Sequence, residues 1–158
     1  MRLQHIDRHT VRVVSSDGHE MGRLVRTGYW RPLVEITTSD GVYRVRNNLF
    51  TAMEVLFNGH CVVRMRAQWH GAIELHDLSR PDRSLTVKRP SIWRHEHHLV
   101  DANGHVHAVI TSRYNWNTWR MEHALSVPVG EEAPSVVALL AAVHAIDERR
   151  RRTAAAGA

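Results

Sequence analysis

The chain of 158 residues contains one cysteine, Cys61, and one lysine, Lys88, and no long apolar run. A single cysteine excludes an internal disulfide, which favours a cytoplasmic location. A membrane-spanning helix needs about 20 consecutive apolar residues, so the sequence predicts no such helix. The first residues also lack the apolar stretch of a signal peptide. We therefore expect one soluble domain over residues 1–150, large enough to fold alone.

Basic residues outnumber acidic residues by 21 to 16, which gives a net charge of +5 with the 13 histidines counted as neutral. Such a charge favours a polyanionic partner, either an anionic lipid or a nucleic acid. Most arginines are spread along the chain and alternate with apolar residues, which is also typical of solvated strand faces. Only Arg149–Arg152 form a block. The charge therefore leaves both interpretations open.

Ten short runs predict β-strands, because each has the length of a strand and turn residues separate them. This spacing is typical of antiparallel hairpins and differs from a βαβ pattern. Asp-Gly and Asn-Gly pairs at 17–18, 40–41, 58–59 and 103–104 predict hairpin turns. Between Val42 and Val45 the alternation changes parity, which predicts a bulge or a change of face. The runs are 11–14, 33–38, 42–46, 50–57, 60–67, 72–76, 84–88, 97–100, 105–111 and 118–127.

The end of the chain predicts a helix. Residues 131–134 are two acids, an alanine and a proline, which are typical of a helix start. From Val136 to Ile146 only His144 is polar, so the helix is apolar nearly all round. We expect protein to surround it, as inside a closed or nearly closed barrel; the alternative is a helix on one sheet face. Residues 151–158 are predicted to form a frayed, disordered tail.

Four segments of the sequence carry a family pattern: 98–110 with its Asp-x-x-Gly turn, 122–125, 136–148 and an earlier copy of the turn at 16–24. Together they resemble the LURP-one-related group of the tubby-like and phospholipid-scramblase-like superfamily. The resemblance implies a mainly β, α+β fold: an antiparallel barrel of about twelve strands around the C-terminal helix. It also implies a bacterial, non-enzymatic binding or scaffold domain. The lysine-rich lipid motif of tubby proteins and the calcium segment and terminal membrane helix of scramblases are absent from the sequence.

Five histidines lie close together in the sequence, at 95, 97, 98, 105 and 107. A three-residue loop at 102–104 would put His97, His105 and His107 on one face of a hairpin, whereas a two-residue loop would bring in His98 instead. Three imidazoles on one face predict a site for a divalent metal such as zinc, which His95 or Glu96 would complete. The alternative is an exposed hairpin whose outward side chains happen to be histidines.

Aromatic and arginine residues alternate around a later turn. Arg113, Trp116, Trp119 and Arg120 form the main group, and Tyr29–Arg31 and Trp93–Arg94 repeat the theme. Such a group is typical of an anion-binding surface, of a stacking platform for single-stranded nucleic acid, or of a membrane interface. Cation–π packing on the outside of a barrel is the alternative.

Catalytic motifs are absent: the sequence has no Gly-x-Ser-x-Gly, P-loop or dinucleotide fingerprint. His60 and Cys61 are neighbours on one strand and should point to opposite faces. We therefore expect a non-enzymatic domain without a cofactor, which binds an anionic lipid, another polyanion or a protein partner. A metal-dependent enzyme using the His95–His107 cluster and a nucleic-acid-binding module using the Trp/Arg surface are the alternatives.

Overall fold

A computed structural model describes residues 1–28, 32–48, 52–69, 71–80, 84–91 and 93–157. Twelve antiparallel strands form one sheet, in which each strand pairs with the next one along the chain. Successive loops therefore alternate between the two ends of the sheet. The strands are β1 (Arg2–His5), β2 (Thr10–Val14), β3 (Glu20–Thr27), β4 (Leu33–Thr38), β5 (Gly41–Asn48), β6 (Ala52–Phe57), β7 (His60–Ala67), β8 (Ile73–Asp77), β9 (Ser84–Lys88), β10 (Glu96–Val100), β11 (Val106–Asn115) and β12 (Arg120–Ser126).

The sheet curls until its first and last strands lie side by side. A side chain bridges this seam, because the backbone N–H of His123 donates to Nε2 of His5 at 2.7 Å. Within the described residues, no backbone ladder joins β1 to β12. The molecule is thus a nearly closed antiparallel barrel of twelve strands, which confirms the predicted fold class and is consistent with the tubby-like fold.

A single helix, α1 (Val136–Ala156), contacts β2, β3, β4, β7 and β8. Nine consecutive residues, Ala138–Ile146, are buried, so protein covers every face of this part of the helix. Inward side chains of the strands, such as Leu24, Ile36 and Leu75, complete one apolar core with it. The prediction of an enclosed helix is therefore confirmed. This helix is not long and apolar enough to cross a membrane, and no other helix occurs in the described ranges.

Both ends of the helix differ from the prediction. Ser135, and not the 131–134 segment, is the N-cap: its Oγ accepts from the N–H of Ala138 at 3.2 Å, and the first turn contains no acid. Ser135 also donates to Asp77 at 2.7 Å, which fixes the helix start to β8. At the other end the helix continues through Ala156, where a frayed tail was predicted. Alanine and arginine favour helix, and Arg152 pairs with Glu148 at 3.2 Å.

All ten predicted runs coincide with strands, although positions 50 and 51 lie outside the described residues. The sequence pattern missed β1 and β3. In β3 a glycine, Gly22, interrupts the apolar alternation because the helix passes close to it. A Cβ atom at Gly22 would lie 2.7 Å from Cγ1 of Val136. The predicted irregularity between Val42 and Val45 is absent: β5 pairs with β4 in unbroken register, with Tyr43 buried and Val42 exposed.

Candidate functional site

A large cavity lies at the end of the barrel where the helix emerges. It has a volume of about 720 Å³ and lies between the β7–β8 turn, β9, β10, β11 and the C-terminal part of α1. Four cationic residues line it, and the described lining contains no carboxylate. Such a cavity has a positive potential, which attracts anions. The cations are Lys88, Arg89, Arg149 and Arg150, and the lining histidines are His95, His97 and His98.

Arg149 reaches this cavity because of the backbone at residue 71. Gly71 has φ +94°, in the left-handed region that favours glycine, and its N–H donates to the carbonyl of Gln68 at 3.0 Å. A Cβ atom at this position would collide with Nη2 of Arg149. The guanidinium group therefore lies directly against the β7–β8 turn. Within the described residues, no carboxylate lies within 4.0 Å of the Arg149 guanidinium.

His97 is the most deeply placed histidine of the cavity. It pairs with Ile110, which is fully buried, so its ring lies on the inner face of the barrel wall. Its Nδ1 atom is buried and has no hydrogen-bond partner in the described structure. Burial, helped by the nearby charge of Arg89, lowers the pKa of His97 to about 4. The ring is therefore neutral at pH 7.

The histidines of the predicted metal cluster do not come together. The backbone N–H of Asp101 donates to the carbonyl of His105 at 3.0 Å, which is the register of the three-residue loop. A bulge follows, because Val100 pairs with Val106 and Leu99 with Ala108, and His107 becomes the extra residue. As a result His97 faces inward near one end of β10, while His105 and His107 lie at the hairpin turn beside the other end.

At that turn His105 and His107 share one carboxylate. Their ring nitrogens lie 3.7 and 3.3 Å from Oδ2 of Asp101, and His107 also lies 3.4 Å from Glu131. Within the ranges that the structure describes, no group of three or more His, Cys, Asp or Glu side chains has an arrangement that would hold a metal ion. The geometry thus gives His97, His105 and His107 no common metal site.

A buried polar network lies on the other side of the helix, centred on Asp147. Its Oδ2 accepts from Arg26 at 2.6 Å and its Oδ1 from Nε2 of His123 at 2.8 Å, while Nδ1 of His123 accepts from Ser112 at 2.9 Å. Burial alone would raise the pKa of Asp147, but the hydrogen bond from His123 and the charge of Arg26 hold it well below its usual value.

Serine, histidine and aspartate are the residue types of a hydrolytic triad, but this network is built for holding the fold. The His123 side chain is only 1% exposed, and Arg26 occupies the second carboxylate oxygen. The contacts join α1 to β3, β11 and β12, beside the seam that His5 bridges. We interpret the network as the polar anchor of the helix.

The predicted aromatic–arginine group lies in the β11–β12 hairpin. Trp116 and Trp119 are in the turn, with ring centroids 6.0 Å apart in an edge-on contact, and Tyr114 packs against Trp116 at 4.6 Å. Arg120 begins β12, and Arg113 is exposed on β11. None of these residues lines the basic cavity. The related segment at 29–31 lies outside the described residues.

Cys61 is partly buried, and its thiol donates to the carbonyl of Val63 at 3.5 Å. Burial raises the pKa of this thiol, which keeps it protonated and unreactive at neutral pH. The adjacent His60 pairs with Phe57 and is exposed. The geometry therefore favours a packing role for Cys61.

Comparisons with protein-family models, with curated proteins and with solved structures found no match. The sequence pattern did not identify the basic cavity, because its cations come from two distant segments, 88–89 and 149–150. The available signal was the arginine block that follows the apolar helix. Only residues 151–158 were predicted to form a tail. The sequence pattern did not show that the end of the helix presents Arg149 and Arg150 to the barrel mouth.

Proposed function

We propose that this protein is a non-enzymatic binding domain that holds a multiply charged anion, of the phosphate or polyphosphate class, in the basic cavity. The observation that carries the proposal is the convergence of Lys88, Arg89, Arg149 and Arg150 on one cavity whose described lining has no carboxylate. We also propose that the chain is a cytoplasmic member of the LURP-one-related group, which the barrel, the enclosed helix and the lone unpaired Cys61 support.

The chemistry of the cavity suits such a ligand. Arginine and lysine form strong charge-assisted hydrogen bonds with phosphate oxygens, and arginine forms them in pairs. His97 also lines the cavity and adds a neutral ring. The volume of about 720 Å³ lies within the range of small-molecule sites.

Energetics also favour an anion. Lys88, Arg149 and Arg150 have no carboxylate within 4.0 Å in the described structure, so no described acidic side chain neutralises their charge. By contrast, some exposed arginines on the strands have acidic partners, as in the Arg46–Glu54 pair at 2.7 Å. A bound anion would supply the missing counter-charge, and it would stabilise the folded state as any specific ligand does.

Inorganic triphosphate is a suitable probe, measured by isothermal titration calorimetry at two ionic strengths. We expect binding that weakens with salt, and we expect Arg149→Ala/Arg150→Ala to weaken it at least about tenfold, because each substitution removes charge-assisted contacts. The matched control is Arg23→Ala/Arg44→Ala, which removes the same charge from exposed arginines that pair with Glu20 and Glu35. Equal loss in both variants, or no binding by the wild-type protein, would refute the proposal.

A further inference from the structure

Four tryptophans are largely exposed, although tryptophan is usually among the more buried residues. Their exposed fractions are 94% for Trp69, 86% for Trp93, 71% for Trp116 and 73% for Trp119. An exposed indole ring has a large apolar face in contact with water. Exposed apolar groups of this kind mark surfaces that meet another phase or partner.

The four tryptophans lie at the same end of the barrel. They follow β7, β9 and β11, and loops after odd-numbered strands of an up-and-down sheet share one end. This end, which we call the tryptophan end, is also where Arg149 and Arg150 line the basic cavity beside His95 and Lys88. In the described loops of the opposite end, the exposed large apolar side chains are aliphatic, namely Leu78 and Val129.

The charged residues are also distributed unevenly, with basic residues at the tryptophan end and acidic residues at the opposite end. The described loops at the tryptophan end contain one acid, Asp7, and three arginines, Arg8, Arg89 and Arg94. The end of the helix adds the basic block Arg149–Arg152. The described loops at the opposite end contain one arginine, Arg80, and five acids: Asp17, Asp40, Asp101, Glu131 and Glu132. The molecule is therefore electrically polar along the barrel axis, with the tryptophans at its positive end.

We infer that the tryptophan end docks on an anionic lipid bilayer, with the indole rings at the level of the head groups and the arginines against lipid phosphates. Tryptophan prefers the membrane–water interface, and each arginine near an anionic surface strengthens binding about fivefold. This inference rests on the proposed function, because the cavity arginines that would bind a free anion are among those that would face the head groups.

The arrangement fits a flat surface better than a nucleic-acid strand. The rings of Trp116 and Trp119 meet at 81° and Tyr114 meets Trp116 at 73°, so these rings do not form a row of parallel faces on which bases stack. Trp93 stands in a different loop, on the β9–β10 turn. Loop tips around one end of a barrel touch a plane together, as an interface requires.

Vesicle binding tests the inference in the full-length protein. We would compare vesicles of phosphatidylcholine alone with vesicles of equal parts phosphatidylcholine and phosphatidylserine, using flotation and intrinsic fluorescence. The exposed tryptophans report insertion directly, because their emission shifts to the blue when they leave water. We expect binding and a blue shift with the anionic vesicles and at least about tenfold weaker binding to the neutral ones.

Two variants separate the contributions. Trp93→Ala/Trp116→Ala should weaken binding to anionic vesicles on the order of tenfold, because two apolar faces are lost, and should leave triphosphate binding unchanged. Arg149→Ala/Arg150→Ala should weaken both. The control, Leu78→Ala/Val129→Ala, removes apolar surface at the opposite end and should change neither. Thermal unfolding of each variant checks that it is folded.

The outcomes are distinguishable. Triphosphate binding without vesicle binding would overturn the inference and leave the proposed function intact. Vesicle binding that survives the tryptophan substitutions, or that is equal on neutral vesicles, would also overturn it. Loss of vesicle binding in the Leu78→Ala/Val129→Ala variant would show that the opposite end of the barrel contacts the membrane, which would also overturn the inference.

Discussion

At the residue scale, two inward-facing histidines, His97 and His144, determine how the stability of the barrel responds to pH. His144 lies on the buried part of α1, where Nδ1 accepts from Nε of Arg26 at 3.3 Å and Nε2 has no partner in the described structure. Burial lowers the pKa of His144 to about 3, and that of His97 to about 4. Both rings are therefore neutral in the folded protein at pH 7, beside arginines that would repel their charged forms.

These two histidines predict a loss of stability in mild acid. Below pH 6.5 the unfolded chain binds protons at both rings, whereas the folded protein does not until the pH falls to about 4 for His97 and about 3 for His144. Protonation therefore favours the unfolded state across this window. We expect the urea midpoint to fall steadily from pH 6.5 towards pH 4, as measured by circular dichroism at several pH values.

Substitution of His144 tests whether its buried ring causes the loss of stability in acid. His144→Gln keeps a hydrogen-bond acceptor for Arg26 without a titrating group, so its urea midpoint should depend less on pH than that of the wild type. His19→Gln, at a histidine exposed on the β2–β3 turn, should retain the wild-type pH dependence. A midpoint that does not change between pH 6.5 and pH 4 would contradict the prediction.

At the element scale, the enclosed half of α1 fills the interior of the barrel. In a β-sandwich, a second sheet would supply that part of the core. Leu140 is completely buried in the barrel. Leu140→Ala should lower the free energy of unfolding by about 2–5 kcal/mol, because it leaves a cavity with little room to collapse. Leu140→Asp should prevent folding, because an unpaired buried carboxylate costs about as much as the whole stability.

Urea denaturation measures the first variant, and soluble expression with circular dichroism measures the second. Ala154→Asp is the matched control, since residue 154 is on the exposed end of the same helix. That variant should be close to the wild type in stability. If Leu140→Asp were soluble and equally stable, the helix would not be enclosed.

The strands and the helix were largely predictable because alternation and apolar length are local signals. The features that the sequence pattern did not predict depend on contacts between residues distant in sequence. Gly22 weakens the pattern of β3 because Val136 of the helix occupies the space of a side chain. The bulge at His107 changes which histidines face inward, and two-residue periodicity alone cannot place it. The helix end was misplaced because arginine-rich and alanine-rich segments are compatible with either helix or coil.

At the scale of the whole molecule, the candidate site depends on the strand count. The tryptophans share one end only because an odd number of strands precedes each of their loops. The ten predicted strands omit both β1 and β3, which leaves the parity of these loops unchanged. The position of the arginine block at the same end depends instead on the path of the helix through the barrel. The cavity itself requires the barrel, because the β7–β8 turn, β9, β10, β11 and the helix surround it jointly.

The topology also predicts that the barrel and the helix fold as one unit. The helix is last in the chain, yet it contacts β2, β3 and β4 near the beginning, and β1 meets β12. Without α1 the inward side chains would surround an empty interior, and Asp147, which joins Arg26 to His123, would be lost. A chain that ends at residue 134 should therefore bind a hydrophobic dye such as ANS and unfold without a cooperative transition.

A chain that ends at Thr153 provides the comparison. It keeps the buried helix, the Asp147 network and the cavity-lining residues, and removes only the exposed helix end. Its thermal and urea transitions should match those of the full chain, because residues 154–157 are exposed. If the chain that ends at residue 134 unfolded cooperatively and did not bind ANS, the strands would form the barrel without the helix. In that case the helix would serve mainly to present Arg149 and Arg150 at the mouth, and not to fill the core.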